Sequence, residues 1–292
     1  MAPKLISSSA NPLIKRIRAL AKRKEREERG AFVVEGIRTV WQALDSGAGI
    51  EVILVAPELL TSEAARLKVE DAASNGVPVV RVTRPVFESL ASRENPSGLA
   101  AVVRVSKRTL HDINIDSDAI LVCLHEVGNP GNLGTIIRTV DAIGGSGVIV
   151  IGEATDPHHP VAVKASMGAL FNIPMARVEN LEKLFLWARK HGIAVVTTSS
   201  RARDLHWSIA YPSPVLLLFG SEGEGLADVQ VEQGDLAVRI PMYGTADSLN
   251  LAVAVGVLLY EVKRQQTSYQ ARETIRVGQF SDVQKSVGGE SR

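Results

Sequence analysis

The stretch I-P-M-Y-G-T-A-D-S-L-N-L-A-V-A-V-G-V-L-L-Y-E, residues 240–261, reads as a strand end, a short turn and an apolar helix. The turn runs through Tyr243, Gly244, Thr245, Ala246 and Asp247. It is polar and contains glycine, the kind of turn whose backbone amides and carbonyls face a ligand. The helix is expected from about Ser248 to Lys263, capped by Asp247 or Ser248, whose side-chain oxygens accept an orphan backbone N–H. It is apolar nearly all round, so burial on more than one face is expected. Alone, this pattern fits any buried helix that follows a loop. Two other stretches change its meaning.

Both lie upstream, and both follow strands. A-I-L-V-C-L-H (119–125) is a strand that runs into H-E-V-G-N-P-G-N-L-G-T-I-I-R-T-V-D-A-I-G-G (125–145), with a helix expected over about 133–143. V-L-L-L-F-G (215–220) is a buried strand that runs into S-E-G-E-G-L (221–226). I-A-V-V-T-T-S (193–199) is another, and continuous β-branched and leucine runs of this kind mark parallel strands covered on both faces. In an open parallel sheet, ligands bind beyond the carboxyl ends of the strands. Three Gly-containing loops at strand ends therefore point to one site. None is a G-x-G-x-x-G opening a helix or a G-x-x-x-x-G-K-[ST] loop, so neither phosphate-cradling fingerprint is present.

Before residue 106, strands alternate with helices from A-F-V-V-E-G (31–36) to L-A-A-V-V-R-V (99–105), which makes a small α/β domain. Residues 11–29 read as one amphipathic helix, with Asn11 as cap, Pro12 at the first position, and Leu13, Ile17 and Leu20 on one face. Its other face carries Lys15, Arg16, Arg18, Lys22 and Arg23, either a solvated surface or one that contacts phosphates. Net charge is +1, but residues 1–108 hold 18 Lys and Arg against 12 Asp and Glu, so the front is basic. That asymmetry favours a polyanionic partner for the front part. The division expected is 1–105, a linker over 106–116, a second α/β domain over 117–266, and a polar tail over 267–292, partly disordered.

The 292 residues are 45% apolar, enough for two cores. The longest apolar run is too short to span a bilayer, and the N-terminus has no secretory apolar region, so a cytoplasmic protein without membrane contact is expected. A single cysteine, Cys123, excludes an internal disulfide framework and a cysteine-rich metal site, and reads as an apolar filler. His125, His158 and His159 lie near Glu126 and Asp156, but D-P-H-H-P reads as loop decoration rather than a metal or base site.

The ordered trio N-P-G-N-L-G-T-I-I-R-T, L-L-L-F-G-S-E-G-E-G-L and I-P-M-Y-G-T-A-D-S-L-N-L-A-V-A resembles the three motifs of the SpoU (TrmH-type) RNA ribose methyltransferases, of the SPOUT superfamily. The resemblance covers about 118–264 and includes K-A-S-M-G-A-L-F (164–171), where it implies that Ser166 and Met167 line the RNA side, with core packing as the alternative. It extends more weakly to N-P-L-I-K-R-I-R-A-L and F-V-V-E-G-I-R, which look like the family's ribosomal-protein-like RNA substrate-binding domain. It implies an α/β SPOUT domain with a parallel sheet and a deep trefoil knot, a homodimer built through that domain, and no metal. It also implies transfer of a methyl group from S-adenosylmethionine to a ribose 2′-hydroxyl. Gly220, Ile240 and Leu249 fall on the cofactor-contacting positions, with Met242 and Asn250 nearby. Arg138 matches the catalytic arginine and Asn132 the motif asparagine; Glu222, Ser248 and Asn250 are expected to hold the arginine and the ribose. A guanidinium stays protonated, so Arg138 suits a phosphate clamp as well as the base role the family proposal gives it. Asn129 departs from the acidic residue usual at its place. Ribosomal RNA is the expected substrate. A transfer-RNA enzyme, an antibiotic-resistance enzyme and an inactive RNA-binding protein of the same fold are the alternatives.

Overall fold

Period-2 and continuous apolar runs become two separate sheets in the computed structural model, which describes residues 5–92, 94–152 and 155–268. The front sheet contains β1 (Ala31–Glu35), β2 (Ile50–Val55), β3 (Val79–Arg81) and β4 (Leu99–Arg104), in the order β1-β4-β2-β3. The second sheet has seven strands, all joined in parallel: β5 (Ile120–His125), β6 (Gly147–Ile151), β7 (Met175–Val178), β8 (Ala194–Thr198), β9 (Asp204–Leu205), β10 (Val215–Phe219) and β11 (Leu236–Arg239). Their order is β7-β6-β5-β10-β8-β11-β9. The central strands β5 and β10 are buried along almost their whole length, which is why they read as unbroken apolar runs. Cys123 sits in β5 with no exposure; burial pushes its thiol pKa up, so it stays a neutral filler.

Several expected boundaries move, for identifiable reasons. The basic front segment is two helices, α1 (Pro12–Ala19) and α2 (Arg23–Arg29), not one. The break is stabilised by Arg26, whose Nη1 donates to the Leu20 and Ala21 carbonyls at the end of α1. Asn11 caps α1 as expected, accepting from the Leu13 N–H at 2.9 Å. Ile14, Ile17 and Leu20 form the buried stripe. Leu13 is only partly buried. The helix after β5 spans Pro130–Ala142 and starts three residues earlier than expected. Asn129 caps it, accepting from Gly131 N–H at 2.8 Å and Asn132 N–H at 3.2 Å, with Pro130 at the first position.

The last helix covers residues 251–268, beginning later and running further than expected. Its cap is Asn250, not Asp247 or Ser248: Asn250 Oδ1 accepts the Ala252 N–H at 2.9 Å. One face packs into the core through Ala252, Val255, Leu258, Leu259 and Val262. The opposite face is open rather than buried, with Val253 52% and Tyr260 58% exposed. The expected tail lies almost wholly outside the described residues.

The segment 106–116 is docked, not loose. It holds a short turn, Leu110–Asp112, a bridge from Arg108 to Ala176, and Ile113 buried against the second sheet. Close packing also explains Gly134: a Cβ there would lie 2.3 Å from the Ala162 carbonyl oxygen of the helix Pro160–Ser166. Ser166 is buried and donates to the Val163 carbonyl, so it belongs to the core.

Candidate active site

The three loops meet through side-chain amides and one carboxylate. Glu222, in the loop after β10, accepts the Gly128 and Asn129 backbone N–H groups, both at 3.2 Å. It also accepts Asn132 Nδ2 at 3.1 Å. Asn132 Oδ1 in turn accepts Asn250 Nδ2 at 3.0 Å. One chain of hydrogen bonds thus joins the loops after β5, β10 and β11. Asn132 is only 8% exposed, and its amide uses both its nitrogen and its oxygen in this chain. Burial alone would raise the Glu222 pKa, but the Asn132 and backbone donors outweigh it and hold the carboxyl below its usual value. Glu222 thus serves as the acceptor on which the Gly128, Asn129 and Asn132 donors converge.

The loop after β10 folds back on itself. Ser221 and Gly225 form a bridge, and the Gly225 N–H donates to the Ser221 carbonyl at 3.1 Å. A Cβ on Gly220 would lie 2.1 Å from the Gly225 carbonyl carbon and 2.4 Å from the Leu226 nitrogen, so only glycine fits.

Beside this network lies a cleft of about 490 Å³, at the carboxyl ends of β8, β10 and β11. Gly220, Ile240, Met242, Leu249 and Asn250, the residues expected to hold a cofactor, all line it. Ser248 and Glu222 line it too. Sequence reasoning missed its third wall: Thr198 to Arg201 after β8, and Arg239. Arg239 Nε is buried without a hydrogen-bond partner among the described residues. The rule that ligands sit beyond strand ends pointed to β8 as much as to β10, but T-T-S-S-R lacks the glycines that drew attention to the other loops.

Arg138 stands apart. Six residues beyond Asn132, it is turned about 120° around the helix and raised about 9 Å along it. It is exposed, and the Asn132, Glu222 and Asn250 hydrogen bonds do not reach it. Among the described residues no hydrogen bond joins Arg138 to Asn132, Glu222, Ser248 or Asn250; Ile136 and Ile137 point into the core, Arg138 away from it. Of the basic front residues, Arg16 pairs with Glu51, Arg18 donates to Ser89 Oγ at 3.0 Å, and Arg23 pairs with Glu27 at 2.7 Å. Lys15 and Lys22 are exposed. The D-P-H-H-P run is structural rather than decorative: Asp156 pairs with Arg26, the His158 ring packs tilted against Phe32 with centroids 4.5 Å apart, and His159 accepts the Val161 N–H.

A parallel sheet whose strand-end loops close a cleft with glycine backbone and a Glu–Asn–Asn network has the arrangement of a ligand-binding α/β protein. The sequence profile of the SpoU rRNA Methylase family matches residues 119–260, and that of the MRM3-like substrate binding domain matches 11–101. An uncharacterized tRNA/rRNA methyltransferase of Synechocystis is 30% identical over 89% of this chain and 94% of its own. The 23S rRNA (uridine(2479)-2′-O)-methyltransferase of Streptomyces viridochromogenes is 31% identical over 87% of this chain and 90% of its own. The crystal structure of an AdoMet-bound rRNA methyltransferase from Sinorhizobium meliloti superposes with a TM-score of 0.82 at 37% identity, covering 89% of this chain and 97% of that one.

The chain belongs to the SpoU rRNA methylase family. It is an RNA methyltransferase that uses S-adenosylmethionine. The cleft fits that cofactor chemically. Ile240, Met242 and Leu249 offer apolar surface to an adenine, the Gly220 backbone allows close approach, and Glu222, Glu224 and Asp247 complement a sulfonium cation.

Proposed function

We propose that this protein methylates the 2′-hydroxyl of a ribose in ribosomal RNA. The observation that carries the reading is the Glu222–Asn132–Asn250 chain, which ties three loops from three strand ends around one cleft. Relatives named as ribosomal RNA 2′-O-methyltransferases support the substrate class. S-adenosylmethionine supplies an electrophilic methyl group on a sulfonium; the chain's own residues supply position. Gly220, Ile240, Met242, Leu249 and Asn250 hold the cofactor, and Glu222 and Asn132 keep the loops in register. Arg138, always cationic and exposed, clamps the phosphate beside the target ribose and orients its hydroxyl. Ser248, on the cleft wall, faces the same ribose. Lys15, Arg16, Arg18, Lys22 and Arg23 face the RNA backbone.

The protein works as a homodimer in the cytoplasm, its C-terminal half threaded in the trefoil knot that the resemblance implies. The exposed Val253 and Tyr260, with the partly buried Val257 between them, support pairing through the last helix. No helix among the described residues is long and apolar enough to cross a membrane. Residues 1–105 form the RNA substrate-binding domain, 106–116 the connection and 117–266 the methyltransferase domain, with 267–292 as the tail. Incubation with tritiated S-adenosylmethionine and unmodified ribosomal or transfer RNA tests the substrate; label in transfer RNA alone would overturn it. Sedimentation tests the dimer.

A further inference from the structure

A second cleft of about 500 Å³ opens where the front sheet meets the second, and none of its lining residues belongs to the cofactor cleft. Its floor is apolar and only partly covered, built from Leu170, Phe171 and Met175. Its rim is cationic, with Arg104 at the end of β4, Lys107 and Arg108 in the connecting segment, and Arg177 in β7. Arg104, 74% exposed at its side chain, is paired with Glu51 at 3.6 Å, while Lys107 and Arg108 are exposed. Arg177 is held in place by a bond from Nη1 to the Gly152 carbonyl at 2.8 Å. The two carboxylates at the cleft are already matched, Glu27 by Arg23 and Asp156 by Arg26. The exposed Lys107 and Arg108 therefore give the rim its positive charge.

The walls are fixed before any ligand arrives. Arg26 of the front domain is 2% exposed and reaches Asp156 of the second domain at 2.7 Å, and Phe32 stacks on Phe171 and meets His158 at a tilt. The Arg108–Ala176 bridge ties the connecting segment to β7 on the other side. A partly exposed aromatic and aliphatic floor under a cationic rim is the chemistry that takes an unpaired nucleotide, base on the floor and phosphates on the rim. A duplex, whose bases are stacked inward, presents no base to such a pocket.

We propose that this interdomain cleft binds an unpaired nucleotide of the substrate RNA, away from the methylation site, so that the enzyme selects RNA carrying a single-stranded segment. The proposal rests on the reading of the protein as an RNA methyltransferase. A free mononucleotide shares the chemistry, so the test separates the two.

The experiment measures binding of a fluorescent single-stranded octaribonucleotide, the matching RNA duplex and AMP to the full chain, with Lys107→Ala/Arg108→Ala and Phe171→Leu variants. The expected result is a single-strand affinity about ten-fold lower in the double variant, with a salt slope shallower by about 1.4, since two phosphate contacts are lost. Phe171→Leu lowers single-strand affinity while leaving the salt slope alone, and duplex and cofactor binding stay unchanged in both variants. Photocrosslinks from 4-thiouridine in the octamer are expected to map to 104–108 or 170–177. Wild-type affinity and slope in both variants, without such crosslinks, would overturn the cleft assignment while the enzyme still methylates RNA. AMP binding that these variants abolish, with the octamer unaffected, would overturn it in favour of a free-nucleotide site. A wild-type chain that binds no RNA and transfers no methyl group would sink both readings.

Discussion

Removing the Asp156 carboxylate is expected to cost more than any other single change at the junction of the two domains. Arg26 Nε meets it at 2.7 Å, with side-chain exposures of 2% and 12%. Asp156 also accepts the His158 backbone N–H at 2.8 Å. Deleting one partner of a buried pair leaves an uncompensated charge and typically costs about 3–5 kcal/mol. Arg26 keeps two carbonyl acceptors, Leu20 and Ala21, so Asp156→Ala is placed at the low end, about 3 kcal/mol. That corresponds to a melting temperature lower by roughly 6–12 °C. Calorimetric melting and urea titration read it. Arg26→Met combined with Asp156→Ala is expected to cost less than the sum of the two single changes, because no lone charge remains.

The pH dependence follows. Burial would raise the Asp156 pKa, but hydrogen bonds from the His158 side chain and backbone and from Arg26 outweigh it and hold the carboxyl far below the usual range. A depressed folded-state pKa gives stability that is complete above the unfolded value, about 3.9, and is lost as pH falls below it towards the folded value. The gap between wild type and Asp156→Asn should therefore close as pH drops below about 4. An Asp156→Ala variant within about 0.5 kcal/mol of wild type, the range of an ordinary surface change, would refute the reasoning.

Three further outcomes are expected. Gly220→Ala places a methyl 2.1–2.4 Å from Gly225 and Leu226 backbone atoms, so the loop must open; titration calorimetry should show S-adenosylmethionine affinity down at least about ten-fold, equivalent to about 1.4 kcal/mol. Arg138→Ala, on an exposed side chain, should melt and bind cofactor like wild type yet transfer no methyl group; near-normal turnover would remove it from the site. Lys15→Ala/Lys22→Ala should flatten the salt dependence of RNA binding by about 1.4–1.8 in slope, depending on strandedness, with cofactor affinity unchanged; equal slopes would clear this face of RNA contact.

The second domain is legible because its inner strands β5, β6 and β10 are covered on both faces and carry no internal alternation, and because the strand-end loops need glycine. The cap-and-proline pairs Asn11-Pro12 and Asn129-Pro130 have the same chemistry, but only the first was read as a helix start. The second was hidden by the glycines around it, which suggested loop; this is why Asn132 lies in the first helical turn rather than before it. The single long basic helix failed because periodicity cannot foresee that Arg26 turns inward to meet a carboxylate 130 residues away. The same blindness to long-range pairing hid the role of D-P-H-H-P and the interdomain cleft. Arg138 and Asn132 are six residues apart, which the motif records, but their positions on different faces of one helix emerge only from the fold.

The most direct test of the central claim is the position of the transferred methyl group. Unmodified ribosomal RNA is labelled with tritiated S-adenosylmethionine by the purified protein and hydrolysed in alkali, which needs a free 2′-hydroxyl to cut the chain. The account predicts label in alkali-stable dinucleotides, absent with Arg138→Ala. Label released in mononucleotides, the mark of base methylation, would contradict it.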